Sequence, residues 1–190
     1  MKVLLVSEGE HEQAGALQTL VSRLSPGNFE FESDRVSRDD IHAYHGKGPG
    51  YFKRAVRWLG EARKRGFEAL ILVIDEDGRT ERTTEFEQAQ KYEKVEMRRA
   101  LGVAIRTFDA WMLADEQALT SVLGSPIPPQ PKPERLTDPK RECRRLHDDS
   151  QNQMALREIY ACLAQVADIG ILEARCPKGF APFAARVRAL

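Results

Sequence analysis

The sequence predicts an α/β fold in which a parallel sheet of about four strands is flanked by helices and followed by a mainly helical C-terminal extension. Three observations predict it. Short apolar runs alternate with segments whose apolar residues recur at helical spacing. One run, ALILVID at residues 69–75, is continuously apolar, as expected for a parallel strand that is buried on both faces. A proline-rich stretch then separates this alternation from a C-terminal region of helical pattern.

Two βα units make up the first half of the predicted sheet. The strand KVLLVS at residues 2–7 precedes a helical pattern that PGN ends at residues 26–28. The segment FEFESDRV at residues 29–36 alternates apolar and polar residues, which predicts a half-exposed strand. A helix is predicted over residues 51–66, with Gly66 at its end.

The second half of the predicted sheet begins with the apolar strand that ends at Asp75. The long charged segment at residues 83–102 predicts a solvated helix. VAIRTF at residues 103–108 predicts a fourth strand, and residues 109–124 predict the helix after it. Strands that alternate with helices in this way favour parallel pairing with right-handed crossovers.

The chain is divided by composition into three predicted segments. Residues 1–124 form the α/β domain. Residues 125–140 carry six prolines in sixteen residues and predict an extended connector, because proline removes backbone donors. Residues 141–190 have helical patterns and form an extension that we expect to pack on the same core.

Composition limits the classes of function. The 190 residues include 29 Lys plus Arg and 29 Asp plus Glu, so a nucleic-acid or membrane partner cannot be argued from net charge and would need a local patch of charge. The three widely spaced cysteines fit neither a disulfide framework nor a CxxC metal site. The apolar stretch at the N-terminus is too short for a signal peptide or a membrane span. We therefore expect a cytoplasmic protein without a membrane partner.

Acidic residues follow two strands of the predicted sheet. Glu8 comes after the first strand, and Asp75 with Asp77 ends the apolar strand. The carboxyl ends of parallel strands share one edge, where open α/β sheets bind ligands, so we expect these carboxylates to converge. Hard oxygen ligands suit Mg²⁺ or Mn²⁺, and such a site predicts phosphodiester chemistry. Each motif alone is also compatible with acids that cap the following helix.

These motifs resemble the Toprim fold of topoisomerases, primases and nucleases of the overcoming-lysogenization-defect type. The resemblance rests on a strand ending in Glu-Gly, a later strand ending in Asp-x-Asp, and the βα order. It is sharper for one bacterial branch of unassigned function and covers nearly the whole chain, through VSEGEHE, VIDEDG, RTFDAWMLAD and CPKGFAPF. Members of that branch are often encoded beside an ABC-type or AAA-type ATPase.

The resemblance implies a metal-dependent nuclease that acts on nucleic acid, DNA rather than RNA, as the effector of an ATPase-linked defence system. Glu8 matches the Toprim glutamate, which serves as general acid/base or metal contact. Asp109 stands where the branch commonly carries Glu, a side chain longer by one methylene. The implied catalytic residues are Glu8, Asp75 and Asp77, and the implied metal ligands are Glu8, Glu12, Asp75, Asp77 and Asp109.

Basic residues near the second predicted helix are candidates for phosphate contact. Lys47 lies in HGKGPG, a glycine-rich loop at a helix start that lacks the ending of a nucleotide P-loop. Lys53 and Arg54 belong to a basic helix face, which is equally typical of a plain solvated surface. His42 and His45 have no third ligand nearby in the sequence, so we do not expect them to bind a metal.

Two alternative functions stay open at this point. DEDGRT resembles the nucleophile motif of haloacid-dehalogenase-type phosphatases, although that motif normally lies on the first strand. The acids are also compatible with a non-catalytic module that holds an ion and binds a partner protein. The presence of Glu8, Asp75 and Asp77 together favours catalysis over that role.

Overall fold

A computed structural model gives the structure of the chain. Its described residues form a parallel sheet with the strand order β2-β1-β3-β4. The predicted α/β fold, with a parallel sheet, flanking helices and C-terminal helices, is confirmed. The residues that the structure describes are 1–9, 12–25, 27–37 and 50–190. The strands are β1 Lys2–Ser7, β2 Glu30–Arg35, β3 Ala69–Asp75 and β4 Arg98–Ala104.

Burial follows the position of each strand in the sheet. The central strand β3 is buried along its length up to Asp75, which explains why its sequence is continuously apolar. The edge strand β2 has no buried residue; Phe31 and Asp34 are of intermediate exposure and its other residues are exposed. Every neighbouring pair of strands is parallel, so the carboxyl ends of all of them point to one edge of the sheet.

Helices cover both faces of the sheet and create two apolar clusters. Val3 and Leu5 face one cluster and Leu4 and Val6 face the other, as the two-residue period of a strand requires. A π-helical turn, Glu12–Ala16, leads into the first helix. The helices are α1 Leu17–Leu24, α2 Gly50–Lys64, α3 Glu81–Gln90, α4 Asp109–Met112, α5 Glu116–Leu123, α6 Pro139–Ser150, α7 Leu156–Val166, α8 Ile169–Arg175 and α9 Phe180–Arg188.

The structure corrects two element boundaries. Helix α3 ends at Gln90 and β4 begins at Arg98, whereas the sequence predicted a helix through residue 102 and a strand only from residue 103. The sequence did not indicate the start of this strand because its first residues are charged. The structure accommodates the charge of Arg99 by hydrogen bonds from its guanidinium to backbone carbonyls, among them that of Tyr92 at 2.7 Å. The predicted helix over residues 109–124 is interrupted between α4 and α5, since Asp115 caps α5 by accepting hydrogen bonds from its first turn.

The C-terminal helices share a core with the sheet. Cys143 on α6 and Tyr160 on α7 are buried in the same cluster as Val73 of β3. Gly102 of β4 leaves room for the Phe183 ring of α9, since a Cβ there would lie 2.7 Å from that ring. Connector residues 125–138 contain a 3-10 turn, Pro133–Arg135, before α6 begins at Pro139. Within the described part of the chain, none of the helices has the length and hydropathy needed to span a bilayer.

Candidate active site at the carboxyl edge of the sheet

Glu8 and Asp75 meet at the carboxyl edge of the sheet, as the sequence predicted. Strands β1 and β3 pair in register up to Ser7 and Val73, so the residues after them are neighbours. The backbone N–H of Asp75 donates a hydrogen bond of 2.9 Å to Oε2 of Glu8. This bond fixes the Glu8 carboxylate beside the end of β3.

A cavity of about 300 Å³ opens next to this point and brings together acids from three segments of the chain. Glu12 comes from the turn after β1, Asp75 from the end of β3, and Asp109 from the start of α4. Glu12 and Asp109 are each only 5% exposed. The cavity is lined by Gly9, Glu12, Asp75, Phe108, Asp109, Lys140, Arg144 and Tyr160.

Backbone and side-chain hydrogen bonds hold two of these carboxylates. The Phe108 N–H donates to Oδ1 of Asp75 at 2.7 Å, which joins β3 to the segment after β4. The Tyr160 hydroxyl donates to Oδ1 of Asp109, and the Cys143 thiol donates to the Asp109 backbone carbonyl at 3.6 Å. Asp109 is therefore held in place by α6 and α7, which belong to the C-terminal helices.

Burial and mutual repulsion raise the pKa values of Glu12 and Asp75, which line the cavity, and of Glu8, which lies beside it. Desolvation raises the pKa of Glu12 from 4.5 to about 7, and the charges of Asp109 and Glu8 add to this effect. Desolvation also raises the pKa of Asp75 from 3.8 to about 8, with further contributions from Glu12, Glu8 and Asp109. The pKa of Glu8 is raised by burial as well, although the Asp75 N–H and Arg82 oppose the shift. Perturbed carboxyl groups that gather in one cavity are typical of functional sites.

These pKa shifts predict that the metal-free protein loses stability as the pH rises. A carboxyl group whose pKa is higher in the folded state stabilises the fold fully below its unfolded pKa, and this stabilisation disappears as the pH passes the folded value. For Glu12 and Asp75 the loss should therefore continue through about pH 7 and about pH 8. Urea unfolding in EDTA should show a falling free energy of unfolding between about pH 6 and 9.

The control for this pH prediction is the double variant Glu12→Gln with Asp75→Asn, whose free energy of unfolding should fall less steeply over the same range, because Glu8 and Glu134, whose pKa values are also raised, remain. The acids whose pKa is lowered, Glu116 and Glu142, titrate below this range and do not contribute to the slope. If the free energy of unfolding of the wild type in EDTA does not change with pH over this range, the raised pKa values of Glu12 and Asp75 are contradicted.

Asp77 lies apart from the cavity, which differs from the expected convergence of all three strand-end acids. Its residue adopts a left-handed backbone conformation with φ 51°, and its side chain is 51% exposed. Its Oδ2 accepts a hydrogen bond of 2.7 Å from Nη1 of Arg82, which also lies 3.8 Å from Oε2 of Glu8. The buried Arg82 therefore places its charge near the carboxylates of both Asp77 and Glu8.

Neither of the two described residues that were predicted to contact phosphate, Lys53 and Arg54, lines the cavity. Lys47 lies outside the described residues, as do His42 and His45. Lys53 is exposed on α2 and does not line the cavity. Arg54 is buried, and its Nη1 lies 4.0 Å from Oε1 of Glu8, so its charge is directed toward an acid of the site.

The carboxylates that line the cavity are oxygen donors of the kind that Mg²⁺ and Mn²⁺ take, but their number sets a restriction. Among the described residues, no group of three or more His, Cys, Asp or Glu side chains could hold a metal ion, so the five predicted ligands do not form one preformed cage. Mg²⁺ usually takes only one or two protein carboxylates and completes its shell with water and substrate phosphate. Glu12 and Asp75, two largely buried oxygen donors on one cavity, fit that mode of binding.

Gly9 is required by the close approach of Glu12. A Cβ at residue 9 would overlap the Glu12 carboxylate, so only glycine leaves that carboxylate its position. The Glu12 side chain is flexible, so Gly9→Ala should fold with a loss of less than about 1 kcal/mol. It should lose most metal-dependent activity, because the carboxylate is displaced.

The matched control for Gly9→Ala is Gly60→Ala, at an exposed position of α2 where an added Cβ meets no atom within 4 Å. The control should retain full activity and gain up to about 1 kcal/mol from its helix propensity. Thermal melts and initial rates compare the two variants. Full activity in Gly9→Ala would show that the Glu12 position is unimportant.

Sequence reasoning missed the wall of the cavity that α6 and α7 provide. Lys140, Arg144 and Tyr160 come from the C-terminal helices, more than thirty residues after the last predicted site residue along the chain. The i,i+4 spacing of Lys140 and Arg144 indicated one face of a helix. Nothing in the sequence indicated that this face would lie opposite Asp75.

The fold and this site together define a class of protein: an α/β domain with a parallel sheet and an acidic cavity at its carboxyl edge. Comparisons with protein-family models, with curated proteins and with solved structures find no match for the chain. The resemblance to the Toprim fold therefore stays an expectation from the sequence, which rests on the strand ends at Glu8-Gly9 and at Asp75 with Asp77 and on the βα order.

Proposed function

We propose that the protein cleaves phosphodiester bonds of nucleic acid in a reaction that depends on Mg²⁺ or Mn²⁺. The observation that carries this proposal is the cavity that is lined both by the acids Glu12, Asp75 and Asp109 and by the cations Lys140 and Arg144. Carboxylates and cations on the lining of one cavity suit a metal ion and a phosphate group, respectively.

Each residue has a role in this proposal. Glu12 and Asp75 would hold the cation, and a bound cation would polarise the phosphate and activate water. Glu8 is fixed by the Asp75 N–H, and its side chain is 24% exposed, so it can exchange protons with solvent at the edge of the site. Its raised pKa supports a role as the general base that accepts the proton of the attacking water. Tyr160 orients Asp109 through its hydroxyl.

The phosphatase alternative has less support. That mechanism needs the second aspartate of DxD to act as acid/base beside the first, on the same substrate. Asp77 instead pairs with Arg82 and does not line the cavity with Asp75. We therefore propose a hydrolytic nuclease, with DNA as the favoured substrate and an ABC-type or AAA-type ATPase as the partner that the resemblance implies.

The test is cleavage of labelled single-stranded and double-stranded DNA and RNA by the purified chain. Reactions contain Mg²⁺, Mn²⁺ or EDTA, with and without an ATPase encoded next to the protein. We expect products only with a divalent ion, and none from the Asp75→Asn variant. Absence of products on all four substrates, with the partner present, would refute the proposed function. An unchanged melting temperature in millimolar Mg²⁺ and Mn²⁺ would separately refute the proposal that the protein binds either ion.

A further inference from the structure

The cationic wall of the cavity is formed by two residues of α6. Lys140 and Arg144 are four residues apart, so their side chains lie on one face of the helix. The helix is anchored beneath them by Cys143, which is buried and donates to the Asp109 carbonyl. The position of this face relative to the acids is therefore set by the core.

The charges of Lys140 and Arg144 are not paired with an acidic side chain within the described part of the chain. Neither Lys140 nor Arg144 has an ion-pair partner there, although both line a cavity that contains three acids. The next residue, Arg145, behaves differently, because it pairs with Glu142 at 2.7 Å and with Asp149 at 2.6 Å. Lys140 and Arg144 are exposed on the lining of this cavity, so their charges are available to an anion that enters it.

The shape and chemistry of this space select the anion. A cavity of about 300 Å³ is at the lower end of the range for small-ligand pockets and has room for a nucleotide-sized fragment. A guanidinium can bind two phosphate oxygens at once, and an ammonium adds a point charge. A phosphate on this wall would also face the carboxylates that hold the cation.

We propose that Lys140 and Arg144 bind a backbone phosphate of the nucleic-acid substrate, so that the C-terminal helices supply the binding surface for the reaction at the sheet. This inference rests on the proposed function for the class of ligand. It assigns phosphate binding to α6 and not to Lys53, which lies outside the cavity.

The test measures binding separately from cleavage. Fluorescence anisotropy of a labelled single-stranded DNA of about 12 nucleotides is recorded in EDTA at several salt concentrations. Lys140→Gln with Arg144→Gln should weaken binding at least tenfold. It should also reduce the slope of log K against log salt by about 1.4, since each lost contact with a single strand removes about 0.7. Arg141→Gln and Lys53→Gln are the matched controls and should change affinity less than about threefold.

Each outcome decides one of the two proposals. Unchanged affinity and salt slope in the double variant would overturn the inference, and so would failure of the wild type to bind the oligonucleotide. Cleavage by the wild type would leave the proposed function intact in either case. Weakened binding in the double variant, without cleavage of any substrate by the wild type, would support the inference and overturn the nuclease reaction. If binding is partly recovered when residue 144 carries Lys in place of the Gln of the double variant, this would confirm that the positive charge at this position causes the binding.

Discussion

Replacing Asp75 by asparagine is expected to abolish metal-dependent cleavage and, in the same variant, to raise the free energy of unfolding at pH 8. Asparagine keeps the size of the side chain and an oxygen that accepts the Phe108 N–H hydrogen bond. It removes the negative charge that a cation needs. The rate should fall on the order of 1000-fold or more, because charge stabilisation in the transition state is lost.

The gain in stability has the same physical origin as the raised pKa. At pH 8 about half of the Asp75 carboxyl groups are ionised in the folded protein, beside Glu12, Glu8 and Asp109. Removing that charge removes its desolvation penalty and its repulsion by the neighbouring acids. The free energy of unfolding in EDTA should therefore rise by about 2 kcal/mol. Urea unfolding and initial cleavage rates on the same preparation measure the two effects.

Two control variants make the Asp75 result specific. Asp149→Asn removes an exposed acid that pairs with Arg145 far from the cavity, and it should leave activity unchanged. Asp77→Asn should reduce activity much less than Asp75→Asn, because Asp77 contacts Arg82 outside the cavity. Full activity in Asp75→Asn would refute its catalytic assignment. Equal losses of activity in Asp77→Asn and Asp75→Asn would support the prediction from the sequence that both acids act at one site.

Trp111→Ala is expected to give the largest loss of stability, about 3 to 5 kcal/mol. The Trp111 side chain is fully buried between the sheet and the C-terminal helices. Its ring stacks on Phe183 with a centroid distance of 5.4 Å and meets the edge of Phe180 at 5.2 Å. Deleting it leaves a cavity that the surrounding rings cannot fill.

The milder variant Trp111→Phe separates packing from polar effects. Among the described residues the buried indole Nε1 of Trp111 has no hydrogen-bond partner, so phenylalanine removes an unsatisfied donor while it keeps most of the ring. Its loss should be no more than about half of the loss for alanine. Unfolding is followed by circular dichroism in urea. A Trp111→Ala protein that folds normally but no longer binds nucleic acid would place this aromatic residue at the substrate.

Some features of the chain were predictable because they depend on local patterns. The continuous apolar run of β3 indicates burial on both faces, and the alternation of strands and helices requires parallel pairing. Parallel pairing alone places Glu8 and Asp75 at one edge, as the 2.9 Å hydrogen bond between them shows. The start of β4 was not predictable, since Arg99 is charged and its guanidinium donates to backbone carbonyls of the preceding segment, from Ala89 at the end of α3 to Met97.

The sequence by itself therefore determined the fold class and the edge at which Glu8 and Asp75 meet, because hydrophobic periodicity and strand direction are local properties. Only the tertiary structure decided which other groups share that edge. It turned Asp77 toward Arg82, joined Tyr160 to Asp109 across 51 residues, and brought the Lys140 face of α6 to the cavity. Such pairings depend on how distant helices pack on a common core, and the spacing of residues along the chain carries no record of that packing.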